Sequence, residues 1–227
     1  MCIRDRQQIA HCGHATIATF SHLSQLGLTN NGKTSKETID GIRDIEVFGD
    51  YAYMAQSKPL YLDTELSLPK ILDAVGLDEN KLLSPPAIVN TGNSFLIMGV
   101  KSQQDLENLK PQYTAIEAIS NQHDLIGFYI FTLETNKDER DASTRMFAPR
   151  YGIEEESATG MAAGPLACYL YDKMAIHKST FYIEQGYLMR PASPSVIEVV
   201  LNRENNNIVG LKAGGVGKPS KHITLDV

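Results

Sequence analysis

The chain has 227 residues, 42% of them hydrophobic and 21% charged, an ordinary globular composition with room for one large domain or two small ones. A formal net charge of −6 excludes the usual basic nucleic-acid binder, because no cationic surplus is present to neutralise phosphates. No apolar run reaches the roughly 18 residues a membrane helix needs, and the start, Met1-Cys2-Ile3-Arg4-Asp5-Arg6, lacks a signal peptide's apolar stretch. Three cysteines at positions 2, 12 and 168, without motif spacing, point to a reducing compartment, the cytoplasm.

In chain order, the first predicted element is an Ala/Thr-rich helix over residues 14–26, stopping at Gly27. It is apolar on more than one face, so it belongs in a core. Alternating residues 43–48 and 52–56 predict strands. Residues 68–75 predict a short helix with Gly76 just past its end. Pro85-Pro86 reads as a chain break and the candidate domain boundary, giving domains 1–85 and 86–227, with the last strand free to return to the first. Strands at 87–89 and 95–100 flank Asn90-Thr91-Gly92-Asn93; a short helix at 104–109 and a strand at 127–133 follow.

A second buried helix covers residues 158–170. If it begins near Thr159, Pro165 lies inside it and bends it; if Gly164 caps it, Pro165 takes the favoured first position. An early, irregular first turn is favoured. Strands at 180–183, 196–201, 208–211 and 223–227 complete the pattern. Many strands around two buried helices make an α+β class.

Chemistry can sit at four places. Cys12-Gly13-His14-Ala15-Thr16 opens the first helix, where unpaired N–H groups and a partial positive charge suit a carboxylate or enolate. His14 there either shuttles a proton or merely caps the helix, and spacing alone favours the cap. His11, Cys12 and His14 invite a metal reading, but a tetrahedral site needs further ligands at suitable spacing, and His22 is not on their face. Glu154-Glu155-Glu156 precede the second helix; they read first as complements to its dipole, and alternatively as an enclosed acid or base. Asn90-Thr91-Gly92-Asn93 is a hairpin turn or a polar ligand contact. Arg190 either pairs with a substrate carboxylate or ends a strand. Gly214-Gly215-Val216-Gly217 lacks the lysine and following helix of a nucleotide loop.

Together these stretches resemble the phenazine-biosynthesis-like (PhzF) family. Its C-G-H-A-T, G-(I/V)-x-E-D-x-A-T-G-S-A, E-Q-G-x-x-M-x-R-P and late G-G elements appear in order at residues 12–16, 152–162, 184–191 and 214–215, with Phe147-Ala148-Pro149 and Thr91-Gly92 in matching places. The resemblance implies a diaminopimelate-epimerase-like fold: two pseudo-symmetric α+β halves, each a β-barrel around a central helix, from about residue 14 and about residue 159. It implies an isomerase that moves a proton on a small carboxylate-bearing metabolite with no metal or cofactor; charge and hydropathy already argue against nucleic acid and membrane as partners. A homodimer is compatible with the family.

By position, His14 and Glu156 take the catalytic roles. Cys12, Gly13, Ala15, Thr16, Asn90, Thr91, Gly92, Thr159, Gly160 and Met161 line the substrate. Glu156 stands for a family aspartate and Met161 for a family serine, so the substrate is expected to be less polar there. Family chains carry several strands and a catalytic glutamate ahead of the first motif, where this sequence has eleven residues before Cys12. The expectation is an N-terminally truncated member with an incomplete first half, inactive as written. The alternatives are a cysteine-dependent racemase or epimerase using Cys12, with Cys168 too deep to serve, and a catalytically idle metabolite-binding protein.

Overall fold

The computed structural model describes residues 3–4, 7–8, 13–38, 41–219 and 224. The strand expected at 223–227 lies outside the described residues except for Thr224, which has no regular structure. Among the described residues no helix is long and apolar enough to cross a membrane. The chain forms two compact units, Met1–Ala55 with Gly214–Val227, and Gln56–Ala213.

In the first unit, β1 (Ile3–Arg4) and β2 (Gln7–Gln8) form a short antiparallel pair, followed by α1 (Gly13–Gln25). An antiparallel sheet then runs through β3 (Gly32–Thr38), β4 (Gly41–Phe48) and the start of β5 (Tyr51–Ser57), with the end of β14 (Asn207–Val216) beside β5. Alternation along β4 buries Ile45 and Val47 and exposes Phe48, as the period-2 reading requires. Buried Ser21 ties α1 down: its hydroxyl donates to the Asp50 carbonyl and accepts from the Gly217 amide at 2.8 Å. Gly217 has to be glycine for that approach, since a Cβ would lie 2.7 Å from the Ala18 Cα.

The second unit holds the larger sheet, in the order β14, β13 (Ser195–Glu204), β12 (Thr180–Gln185), β10 (Ala142–Ala148), β9 (Gly127–Thr132), β8 (Ser94–Val100), β7 (Leu82–Asn90) and β6 (Leu60–Leu62). β11 (Ile153–Glu156) pairs with β10. The β10–β12 and β8–β9 pairs are parallel. The helices are α2 (Leu68–Val75), α3 (Gln103–Glu107), α4 (Tyr113–Gln122) and α5 (Gly160–Asp172).

Both faces of this sheet are covered, which is why β8 and β9 read as continuous apolar runs. Phe95, Ile97, Tyr129 and Phe131 face α5; Leu96, Met98, Phe128 and Ile130 face the core shared with α2 and α4. α5 is buried from Ala162 to Tyr171, as its apolar faces predict. It starts at Gly160, so Pro165 lies inside it and leaves the Met161 carbonyl without its intrahelical donor. Pro85-Pro86, read as a break, stands within β7; the ladder shifts register between Ser84 and Ala87, where the prolines withhold their N–H groups.

Candidate active site

The Glu154–Glu156 run sits on the short β11, and its three carboxylates meet three environments. Glu154 is exposed. Glu155 accepts two hydrogen bonds from Arg145 of β10, from Nε and Nη2, both at 2.8 Å. Glu156 is half-buried at the end of β11, its Oε1 accepting from the Ser157 amide at 3.3 Å. Of the three, Glu156 is nearest in the chain to the start of α5.

Thr159 is the N-cap residue of α5 but makes no side-chain cap bond. The first N–H groups of the helix, on Gly160 and Met161, meet no acceptor among the described residues, while the Ala162 and Ala163 amides donate to the Thr159 carbonyl at 3.0 Å. An uncapped helix start is a ready site for an anion. Met161 packs, partly buried, against the α5-side core.

Two carboxamides frame this turn, and neither was singled out from sequence. Gln185, 1% exposed at the end of β12, bonds the Glu156 carbonyl and the amide and hydroxyl of Thr159. Gln56 of β5 donates to the Gly160 carbonyl at 2.9 Å and accepts from the Thr91 hydroxyl at 2.7 Å. Gln185 lies inside the E-Q-G motif, a signal available in the sequence; Gln56 carries no such signal. Gly186, beside Gln185, has φ 81, and a Cβ there would collide with the Ser193 and Ser157 carbonyls. Glycine thus lets the following turn close against the Glu156–Thr159 segment.

The Asn90–Asn93 stretch is the β7–β8 hairpin turn. Asn90 spends its amide within it: Oδ1 accepts from the Gly92 amide and Nδ2 donates to Ser94 Oγ, both at 2.8 Å. Thr91, 4% exposed, reaches the site through Gln56, and Gly92 is exposed. Arg190 has a 91% exposed side chain, 4.0 Å from Glu107 on the surface. Gly214 and Gly215 are buried strand positions of β14 and form no loop.

His14 is exposed on the first turn of α1, in the first unit, with Gly13 and Ala15 half-buried beside it. Cys12 and His11 lie outside the described residues. Thr16, 7% exposed, accepts a 2.5 Å hydrogen bond from Lys36 of β3. Burial and the neighbouring Arg43 guanidinium hold the Lys36 ammonium below the ordinary lysine range. Sequence reading missed Lys36, since a polar strand such as Gly32–Thr38 carries no apolar alternation to announce it. Cys168 is fully buried in α5, and burial pushes its thiol up, which removes it as a nucleophile.

These features define a class: a mixed α+β protein with a large sheet, few helices and a polar site at the uncapped start of a buried helix. The chain belongs to the phenazine biosynthesis-like (PhzC-PhzF) family, whose model matches residues 5–216. It is similar to an uncharacterized isomerase of Clostridium acetobutylicum, 32% identical over 92% of this chain and 72% of the relative. It is also similar to the trans-2,3-dihydro-3-hydroxyanthranilate isomerase of Pseudomonas fluorescens, 35% identical over 72% of this chain and 56% of the relative. The crystal structure of a Bacillus anthracis PhzF-family protein superposes with a TM-score of 0.76, covering 92% of this chain and 73% of that one at 24% identity, which speaks to the fold alone.

Proposed function

We propose that this chain carries the acid–base site of an isomerase that shifts a proton on a small carboxylate-bearing metabolite, without metal or cofactor. The observation that carries the reading is Glu156 on the segment that leads into the uncapped start of α5, its carboxylate accepting from the Ser157 amide. The N–H groups of Gly160 and Met161 and the Thr159 hydroxyl take the substrate carboxylate or a developing enolate. Glu156 moves the proton. The isomerase names of the relatives support this reading. Met161 favours a substrate with an apolar group where other members meet a hydroxyl.

The test is deuterium incorporation from heavy water into trans-2,3-dihydro-3-hydroxyanthranilate, the compound named for the Pseudomonas relative. Glu156→Gln is expected to slow incorporation about a hundred-fold or more, the usual span of a lost acid–base group. Incorporation that proceeds equally in Glu156→Gln would overturn the assignment. Binding without incorporation in the unaltered chain would favour the idle binding protein, the reading to which Met161 also lends weight.

A further inference from the structure

We propose that Gln185 is the positioning residue of this site, and that its neutral carboxamide is what keeps the start of α5 open to a carboxylate. The proposal deepens the isomerase reading and rests on it for the ligand. Gln185 makes four hydrogen bonds, three of them to the Glu156–Thr159 turn and one to Tyr129 of β9. Its Oε1 accepts from the Thr159 amide and from Tyr129 Oη, both at 3.0 Å. Its Nε2 donates to the Glu156 carbonyl at 2.6 Å and to Thr159 Oγ1 at 3.1 Å. The orientation of the carboxamide is dictated by its partners, since the Glu156 carbonyl can only accept and the Thr159 amide can only donate.

The bond to Thr159 Oγ1 has a consequence for the helix. Threonine is a favoured N-cap residue because its oxygen accepts from the N–H groups of the first turn. Here that oxygen is turned to Gln185 and caps nothing. The N–H groups of Gly160 and Met161 are thereby kept for a ligand, and the Thr159 hydroxyl proton, not needed for the bond to Gln185, can donate as well. One side chain fixes the backbone of Glu156 at one end of the turn and withdraws the cap at the other. A glutamate at 185 would set an oxygen against the Glu156 carbonyl and place a negative charge where the substrate's charge belongs.

The experiment measures amide hydrogen exchange and ligand-induced amide shifts by NMR in the full chain, in Gln185→Ala and in Gln185→Glu. Anthranilate is the anionic probe and anthranilamide its neutral counterpart. In Gln185→Ala, exchange of the Thr159 amide is expected to quicken about ten-fold, while the β9 amides stay protected. In Gln185→Glu, anthranilate is expected to bind about ten-fold or more weakly and anthranilamide unchanged, a charge discrimination that a purely structural role would not produce. Unchanged Thr159 exchange in Gln185→Ala, or undiminished anthranilate affinity in Gln185→Glu, overturns the proposal. If the unaltered chain shows no shift with anthranilate, the carboxylate-site reading fails, and Gln185 is judged on Thr159 exchange alone. Should the Gln185 variants not fold, Tyr129→Phe removes one bond to the same carboxamide; Thr159 exchange at the unaltered rate there overturns the proposal equally.

Discussion

Three consecutive glutamates show how much a single residue's surroundings decide. Arg145 holds Glu155 with two bonds at 2.8 Å, donates from Nη1 to the Leu106 and Glu107 carbonyls at 3.3 Å, and lies over the Phe147 ring at 5.0 Å. With the two side chains 12% and 15% exposed, removing one charge strands the other in a poorly hydrated place. Arg145→Met should therefore cost about 3 kcal/mol in urea denaturation. Asp124→Asn, at the surface pair with Arg150 where Asp124 is 90% exposed, should leave the urea midpoint almost unmoved. An equal effect of the two would contradict the burial argument. The structural role of Glu155 was not legible in the sequence, because its partner lies ten residues away on another strand.

At the scale of elements, local chemistry ends α2 where the sequence reading placed its end. Gly76 adopts φ 65, ψ 43, its amide donates to the Asp73 carbonyl at 3.2 Å, and the Leu77 amide donates to Leu72 at 3.0 Å. That is a Schellman closure, completed by Leu72 and Leu77 in the same core. Gly76→Ala should cost about 1–2 kcal/mol, from the left-handed backbone alone, read as a lowered thermal midpoint. A Cβ only 3.0 Å from that of Lys110 adds to it. Elements whose pattern is not apolar escaped the sequence. β3 is polar throughout, and β10 carries Ser143, Thr144 and Arg145 at its centre; tertiary pairing, not propensity, makes them strands.

For the molecule as a whole, titration reports on the core. Burial pushes Tyr61, Tyr113, Tyr129 and Tyr169 above their ordinary value of 10.0, and pushes Cys168 above 9.0. A raised folded pKa gives stability that is full below the unfolded value and lost as pH climbs towards the folded one. Stability should fall as pH passes 9 and then 10, with tyrosinate absorbance from these rings appearing together with unfolding. Lys36, held below 10.5, acts in the opposite sense over the window beneath that value. Denaturant midpoints measured across this range check the sign; a midpoint flat through pH 11 would mean the tyrosines are hydrated.

The sequence by itself determined both Ala-rich helices, the burial of α5, most of the strands, the end of α2 and the family, because those depend on short-range periodicity, turn chemistry and motif order; the core position expected for α1 does not hold, since it buries only Thr16 and Ser21. It marked Glu156, Thr159, Gly160 and Met161 through one motif. The tertiary structure alone decided that Glu155 is spent on Arg145, that Pro85-Pro86 lies within a strand, and that Gln56 and Gln185 hydrogen-bond to the turn that starts α5. Each of those depends on which distant donor meets which acceptor, and a hydrogen bond across 26 or 104 residues leaves no periodic trace in the chain.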